Sequence, residues 1–214
     1  MYTIQDMIIF EEKILKETIK HIRECSRKDV ISFNSPKESM ETHFTINFFP
    51  DRNVVEKMNK IIEAFKQKYP ELEYMDINNL HITIVGLIPL NIPVNNLKDF
   101  IAKNIKDGLR FKIKGMDTSN RSVSFLAFSQ NTSLKIIREK FENEVTKDIN
   151  KYTGRYKEIG WINFARFKTK PPMEFYDDLI KNISTEIGVT KGKIKILKNS
   201  SNMLTDAEVI FETY

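Results

Sequence analysis

Apolar positions recur along this chain with two different periods. Over residues 3–25 they fall three, four or seven apart (Ile4, Ile8, Leu15, Ile19, Ile22), which predicts an amphipathic helix. The run His43–Phe49 alternates instead, with Phe44, Ile46 and Phe48 on one side and His43, Thr45 and Asn47 on the other. That alternation predicts a strand, stopped by Pro50-Asp51. Helical spacing returns over about 53–68 (Val54, Met58, Ile61, Phe65) and ends at Tyr69-Pro70. A second strand follows at 80–86, Leu80-His81-Ile82-Thr83-Ile84-Val85-Gly86. It puts His81 and Thr83 on one face, and Leu80, Ile82 and Ile84 on the other. A loop rich in Pro and Asn is expected at 89–96, then a helix over 97–106 and a strand over 109–114.

The order strand, helix, strand then recurs. A strand is expected at Ser122–Ser129 and a helix over 133–148, with Leu134, Ile137, Phe141 and Val145 inward. The matching strand covers 159–167. Residues 44–51 and 124–131 lie 80 apart, and the same offset carries Val54, Ile61 and Phe65 onto Leu134, Phe141 and Val145. It also carries His81 onto Trp161 and Thr83 onto Asn163. A helix over 173–186 and strands over 193–197 and 207–213 complete the chain. The pattern predicts an α+β fold. Two pseudo-symmetric strand–helix–strand lobes, with mostly antiparallel sheets, surround a central cleft. The amino-terminal helix and a loop over 32–39 form residues 1–41, and the bilobal domain covers 42–214.

Composition narrows the setting. No apolar run approaches the roughly 20 residues that span a bilayer. The first residues mix acidic and apolar side chains, unlike a signal peptide. The one cysteine, Cys25, excludes an internal disulfide and fits a reducing compartment, so a cytoplasmic location without a membrane partner is expected. One cysteine and three histidines without ligand spacing do not make a metal site. The net charge of +5 favours anionic partners such as RNA or nucleotide phosphates. Lysines scattered along helices equally make a solvated basic surface.

Two segments carry a family resemblance. The run Asn78-Asn79-Leu80-His81-Ile82-Thr83-Ile84 resembles the first signature of the two-histidine (2H) phosphoesterase superfamily. The run Trp161-Ile162-Asn163-Phe164-Ala165-Arg166-Phe167 resembles the second. The entry strand followed by Pro50-Asp51 and a helix is similar to that family's entry. So is the close, a strand with Leu197, then Ser200 or Ser201, then a last strand. The resemblance spans roughly 42–214. It implies 2′,3′-cyclic phosphodiesterase chemistry on RNA ends or cyclic nucleotides, with no metal or other cofactor. One imidazole deprotonates water, the other protonates the leaving ribose oxygen, and two hydroxyl residues hold the phosphoryl oxygens.

The second signature departs from the family, which has a histidine and a Thr or Ser where this chain has Trp161 and Asn163. Only His81 and Thr83 carry over as catalytic residues. An indole can only donate a hydrogen bond, whereas the Asn163 amide can still hold a phosphoryl oxygen. At the same offset Val123, Phe125 and Ala127 correspond to His43, Thr45 and Asn47. Phe125 and Trp161 would then give a base a stacking surface, and His43 and Thr45 would face it. His43 is a candidate for the missing acid or base, against a rim position at its strand's start. His21 is expected at the surface and Arg166 in a structural ion pair. Loops 69–79, 88–96 and 149–158 would select the substrate. Three functions stay open: a phosphodiesterase of impaired activity, an inactive nucleotide- or RNA-binding module, and a structural protein docking through residues 3–25.

Overall fold

A computed structural model describes residues 4–30, 41–147, 149, 157–200 and 204–213. The loop expected over 32–39, most of that over 149–158, and Ser201 lie outside the described residues. The elements run α1 (Ile4–Arg27), β1 (His43–Phe49), α2 (Arg52–Lys68), β2 (Glu73–Tyr74), a 3-10 turn (Ile77–Asn79), β3 (Ile82–Ile88), α3 (Val94–Asn104) and β4 (Arg110–Thr118). They continue through β5 (Ser122–Ser129), α4 (Leu134–Glu144), β6 (Gly160–Arg166), α5 (Met173–Lys181), β7 (Glu186–Lys191), β8 (Lys193–Asn199) and β9 (Glu208–Glu212). Asp51 starts α2 by accepting the Val54 N–H at 3.1 Å, and Tyr69, before Pro70, stops it.

Two sheets form, in the orders β3-β1-β8-β9 and β2-β6-β5-β4-β7. Every ladder among the described residues is antiparallel. The fold is therefore α+β, with two similar sheets and an amino-terminal helix. In each lobe a helix joins two neighbouring antiparallel strands: α2 joins β1 to β3, and α4 joins β5 to β6. The lobes also exchange strands. β4 follows the first strand–helix–strand unit but pairs with β5, and β8 follows the second but pairs with β1. The order β3-β1-β8-β9 is thus repeated in β6-β5-β4-β7. The exchange interlocks the sheets over one core, where Phe48 of β1 meets Phe111 of β4 edge to face at 4.8 Å.

Helix α1 buries Ile14, Leu15 and Ile22 against β4 and α5, while Ile8 is 46% exposed. Polar side chains fix it there. Glu11 is buried and takes Lys112 at 3.1 Å and Lys114 at 2.6 Å, both from β4. His21, expected at the surface, sits instead with Nδ1 3.0 Å from the buried Asp117 carboxylate and Nε2 3.6 Å from the Cys25 sulfur. The helix expected over 173–186 stops at Lys181, where the Asn182 side chain donates to the Asp178 carbonyl at 2.8 Å and closes the last turn. The residues beyond it form β7 on the edge of β4.

Candidate active site

The site is built on the half-exposed face of β3. Leu80, Ile82 and Ile84 are buried, and His81 and Thr83 between them are half-buried, as the alternation requires. Asn47 of β1 pairs with both Thr83 and Lys195, and directly opposed residues share a face. One row across the sheet therefore reads Thr83, Asn47, Lys195, Glu212. The next reads His81, Phe49, Lys193, with the His81 and Phe49 rings 5.8 Å apart.

His81 donates its Nδ1–H to the Asn79 carbonyl at 2.6 Å. A carbonyl can only accept, so this bond fixes the tautomer and leaves the lone pair on Nε2. Burial pushes the His81 pKa below its ordinary 6.5, outweighing the pull of the Asn79 bond in the other direction. The imidazole is therefore neutral at pH 7, with Nε2 as a base. The Thr83 hydroxyl has no hydrogen bond among the described residues.

The facing strand is β6. Trp161 and Asn163 are half-buried, while Ile162 and Phe164 between them are fully buried. The Asn163 Oδ1 accepts from Ser124 at 2.6 Å and from Ser122 at 3.3 Å. These two bonds occupy the oxygen end of the amide and leave its NH2 end to meet another acceptor. Arg138 of α4, 1% exposed, ties β3 to the start of β6. It donates to the carbonyls of Ile84 (2.9 Å), Thr83 (3.0 Å), Lys157 (3.1 Å) and Ile159 (3.3 Å). Its guanidinium carbon lies 5.9 Å from the Trp161 ring centroid. The histidine strand and the tryptophan strand are thus held by one side chain.

They also touch directly. A Cβ on Gly160 would lie 2.5 Å from Ile82 Cγ2, so only glycine lets β6 approach β3 this closely. Gly160→Ala is expected to cost about 1–3 kcal/mol by overpacking. Urea unfolding checks this: the midpoint falls with the slope unchanged, and an unaltered midpoint would mean the strands are not pressed together there.

Three of the expected site residues do not face it as a ligand contact would. Phe125 is fully buried and stacks on Phe164 at 4.6 Å, facing the core. The cause is register. Asn47 pairs with Thr83, but Ser124 pairs with Asn163, so β1 and β5 superpose at 77 residues (124 against 47), not 80. An odd shift turns every side chain to the other face. Ser122 and Ser124 take the places expected for Phe125 and Ala127, matching Thr45 and Asn47. His43 is buried at the far end of β1, with Nδ1 2.8 Å from the Glu41 carbonyl and Nε2 3.5 Å from the Asn199 amide. Six residues of strand, about 20 Å, separate it from the Phe49–His81 row. It cannot replace a histidine at Trp161.

Thr45 is a support and not a contact. It accepts from Asn47 Nδ2 at 2.7 Å and donates to Asn199 Oδ1 at 3.2 Å. This leaves Asn47 Oδ1 buried and unpaired, in the row with Thr83. Such an orphan costs about 1–3 kcal/mol, and a bound hydroxyl or water would recover it. Arg166 is buried opposite Ser122, and a register shift between Asn163 and Ala165 brings it to the Ser122–Asn163 side of the sheet, with Glu73 across from it on β2. Arg138, Lys193 and Lys195 join the site unforeseen. The sequence carried a signal for each: an arginine inside the stripe Leu134, Ile137, Phe141, and lysines alternating with Ile194 and Ile196.

Among the described residues no helix is long and apolar enough to cross a membrane. No family model and no curated protein matches this chain. It is similar in structure to a conserved protein of unknown function from Agrobacterium tumefaciens, ATU0111, at 8% identity and TM-score 0.48 over 77% of this chain and 87% of that one. It is similar also to TT0787 of Thermus thermophilus, at 13% identity and TM-score 0.49 over 79% of this chain and 95% of that one.

Proposed function

We propose that this chain hydrolyses 2′,3′-cyclic phosphates on RNA ends or nucleotides, as a 2H-type phosphodiesterase working with one histidine. The observation that carries the reading is the His81 Nδ1–H bond to the Asn79 carbonyl, which leaves Nε2 a free base beside Thr83. Nε2 takes a proton from water as the water oxygen attacks phosphorus. The Thr83 hydroxyl and the Asn163 amide donate to the phosphoryl oxygens, whose charge grows in the transition state. Trp161 cannot protonate the leaving ribose oxygen, which takes its proton from solvent. The rate is then lower than that of a two-histidine site by the worth of one positioned acid, about 10²–10⁴.

The test is turnover of 2′,3′-cyclic nucleotides to monophosphates, followed against pH. The base works while neutral, and its pKa lies below 6.5, so kcat/KM should hold its plateau through pH 6.5 and fall only at lower pH. An acid limb at or above 6.5 would take the base role from His81. Complete lack of turnover, with tight binding of a nucleoside 3′-phosphate, would favour a second reading. Trp161 in place of an acid motivates it: a module that binds terminal phosphates without cleaving them.

A further inference from the structure

Beside the His81 row lies a cavity of about 660 Å³, bounded by the end of β1, the turn before β3 and the β7–β8 turn. Phe49, Asn78, Leu80, Lys191, Lys193 and Lys195 line it. Its volume falls within the range of small-molecule sites, roughly 300–1,000 Å³. Phe49 belongs to both places. Its ring lies 5.8 Å from the His81 ring and has the Lys195 ammonium 4.9 Å from its centroid. The cavity therefore adjoins the phosphoester site, with Phe49 between them.

Its charge is unbalanced toward cations. Arg52, Lys191, Lys193 and Lys195 line it against Asp51 and Glu212, with Arg52 paired to Glu56 at 2.8 Å. Asp51 is spent on the Val54 N–H and the Thr190 hydroxyl. Glu212 serves Lys193 at 2.5 Å and Lys195 at 3.0 Å together. Lys191 is exposed and has no ion pair among the described residues. Lys193 and Lys195 stand two strands from His81 and Thr83, about 10 Å at ordinary sheet spacing. An aromatic ring flanked by a row of lysines is the arrangement by which single-stranded nucleic acids are held without base reading.

We infer that this cavity is a second nucleotide subsite, so that the ligand is a single-stranded RNA whose terminal phosphate sits at His81 and whose preceding nucleotide lies against Phe49. The inference rests on the phosphoester reading of the His81 site. A free mononucleotide would leave the cavity empty and Lys191 without an anion. A preceding phosphate supplies the anion that Lys191 lacks and adds, beside Lys193, to the Glu212 that two lysines share, and Phe49 supplies the stacking surface.

Equilibrium binding tests it, with a labelled RNA pentamer ending in a 3′-phosphate as the probe. Two competitors are compared, the same pentamer unlabelled and a nucleoside 3′-monophosphate. The pentamer should compete at least about tenfold better, and its affinity should fall steeply with salt. In K191A/K193A, whose changes are on exposed side chains, that preference should shrink about tenfold. Equal competition by the mononucleotide, or a preference untouched in K191A/K193A, overturns the second subsite. The phosphoester reading fails separately. A pentamer ending in a 3′-hydroxyl that binds as well as the phosphorylated one would remove the terminal-phosphate site, whatever the lysines do.

Discussion

Arg138→Ala is expected to lower the unfolding free energy by at least about 3 kcal/mol, the largest stability loss from one side chain in the site. Arg138 is fully buried and donates to four backbone carbonyls, two on β3 and two on the segment leading into β6. β3 is the edge of its sheet, so its outward carbonyls have no neighbouring strand to pair with. Truncation removes the donors, leaves the carbonyls in a place water reaches poorly, and opens a cavity beneath Trp161. For a chain of this size 3 kcal/mol corresponds to a fall in Tm of about 6–12 °C. Arg138→Lys should fall between, because one ammonium cannot span carbonyls that a planar five-donor fork reaches. Urea unfolding and a thermal scan measure both variants. A loss under about 1 kcal/mol for the alanine variant would mean that water serves these carbonyls and that the strands are held by packing alone. Because the same bonds fix Thr83 beside Trp161, binding of a terminal phosphate should weaken in Arg138→Ala even at temperatures where it stays folded.

Periodicity made much of the fold legible. β1 and β5 lie where the sequence places them, β1 by its alternation and β5 by an apolar run closed by serines at both ends, and both are buried on both faces. His81 and Thr83 could be placed on one face by alternation. What one strand cannot specify is its register against another. The offset of 80 holds for His81 and Trp161, but the first strands of the two units superpose at 77, and that odd difference sent Phe125 to the core and brought Ser122 and Ser124 to Asn163. Such a shift comes from the turns between elements, where the sequence has no period to read. β7 was hidden for another reason: Asn182 closes α5 through its side chain, while the apolar residues beyond still suit a helix. Arg138 was visible as a charge on an apolar stripe, but only the three-dimensional arrangement reveals that edge carbonyls await it. His43 shows the limit of face assignment: it does share the sheet face of His81, and lies about 20 Å along it.

His81→Ala should lower kcat for 2′,3′-cyclic phosphate hydrolysis by about 10²–10⁴, the usual worth of one positioned base. The effect should fall on kcat more than on KM, because the imidazole acts on the attacking water, while Thr83 and Asn163 hold the phosphoryl group. The fold should survive. His81 is half-buried, and its loss frees one carbonyl, Asn79, at a cost of about 1 kcal/mol. His81→Gln separates the two roles of the side chain. Its amide can still donate to a carbonyl, but it cannot take a proton near neutral pH, so it should restore stability and not turnover. The acid limb of the pH profile should vanish in both variants, leaving a residual rate that rises with hydroxide alone. A variant without His81 that keeps the wild-type kcat and the wild-type acid limb would show that the base is elsewhere. A fall in kcat with the acid limb retained would make His81 a positioning residue for some other proton acceptor. Only the joint loss of rate and limb assigns the proton to Nε2.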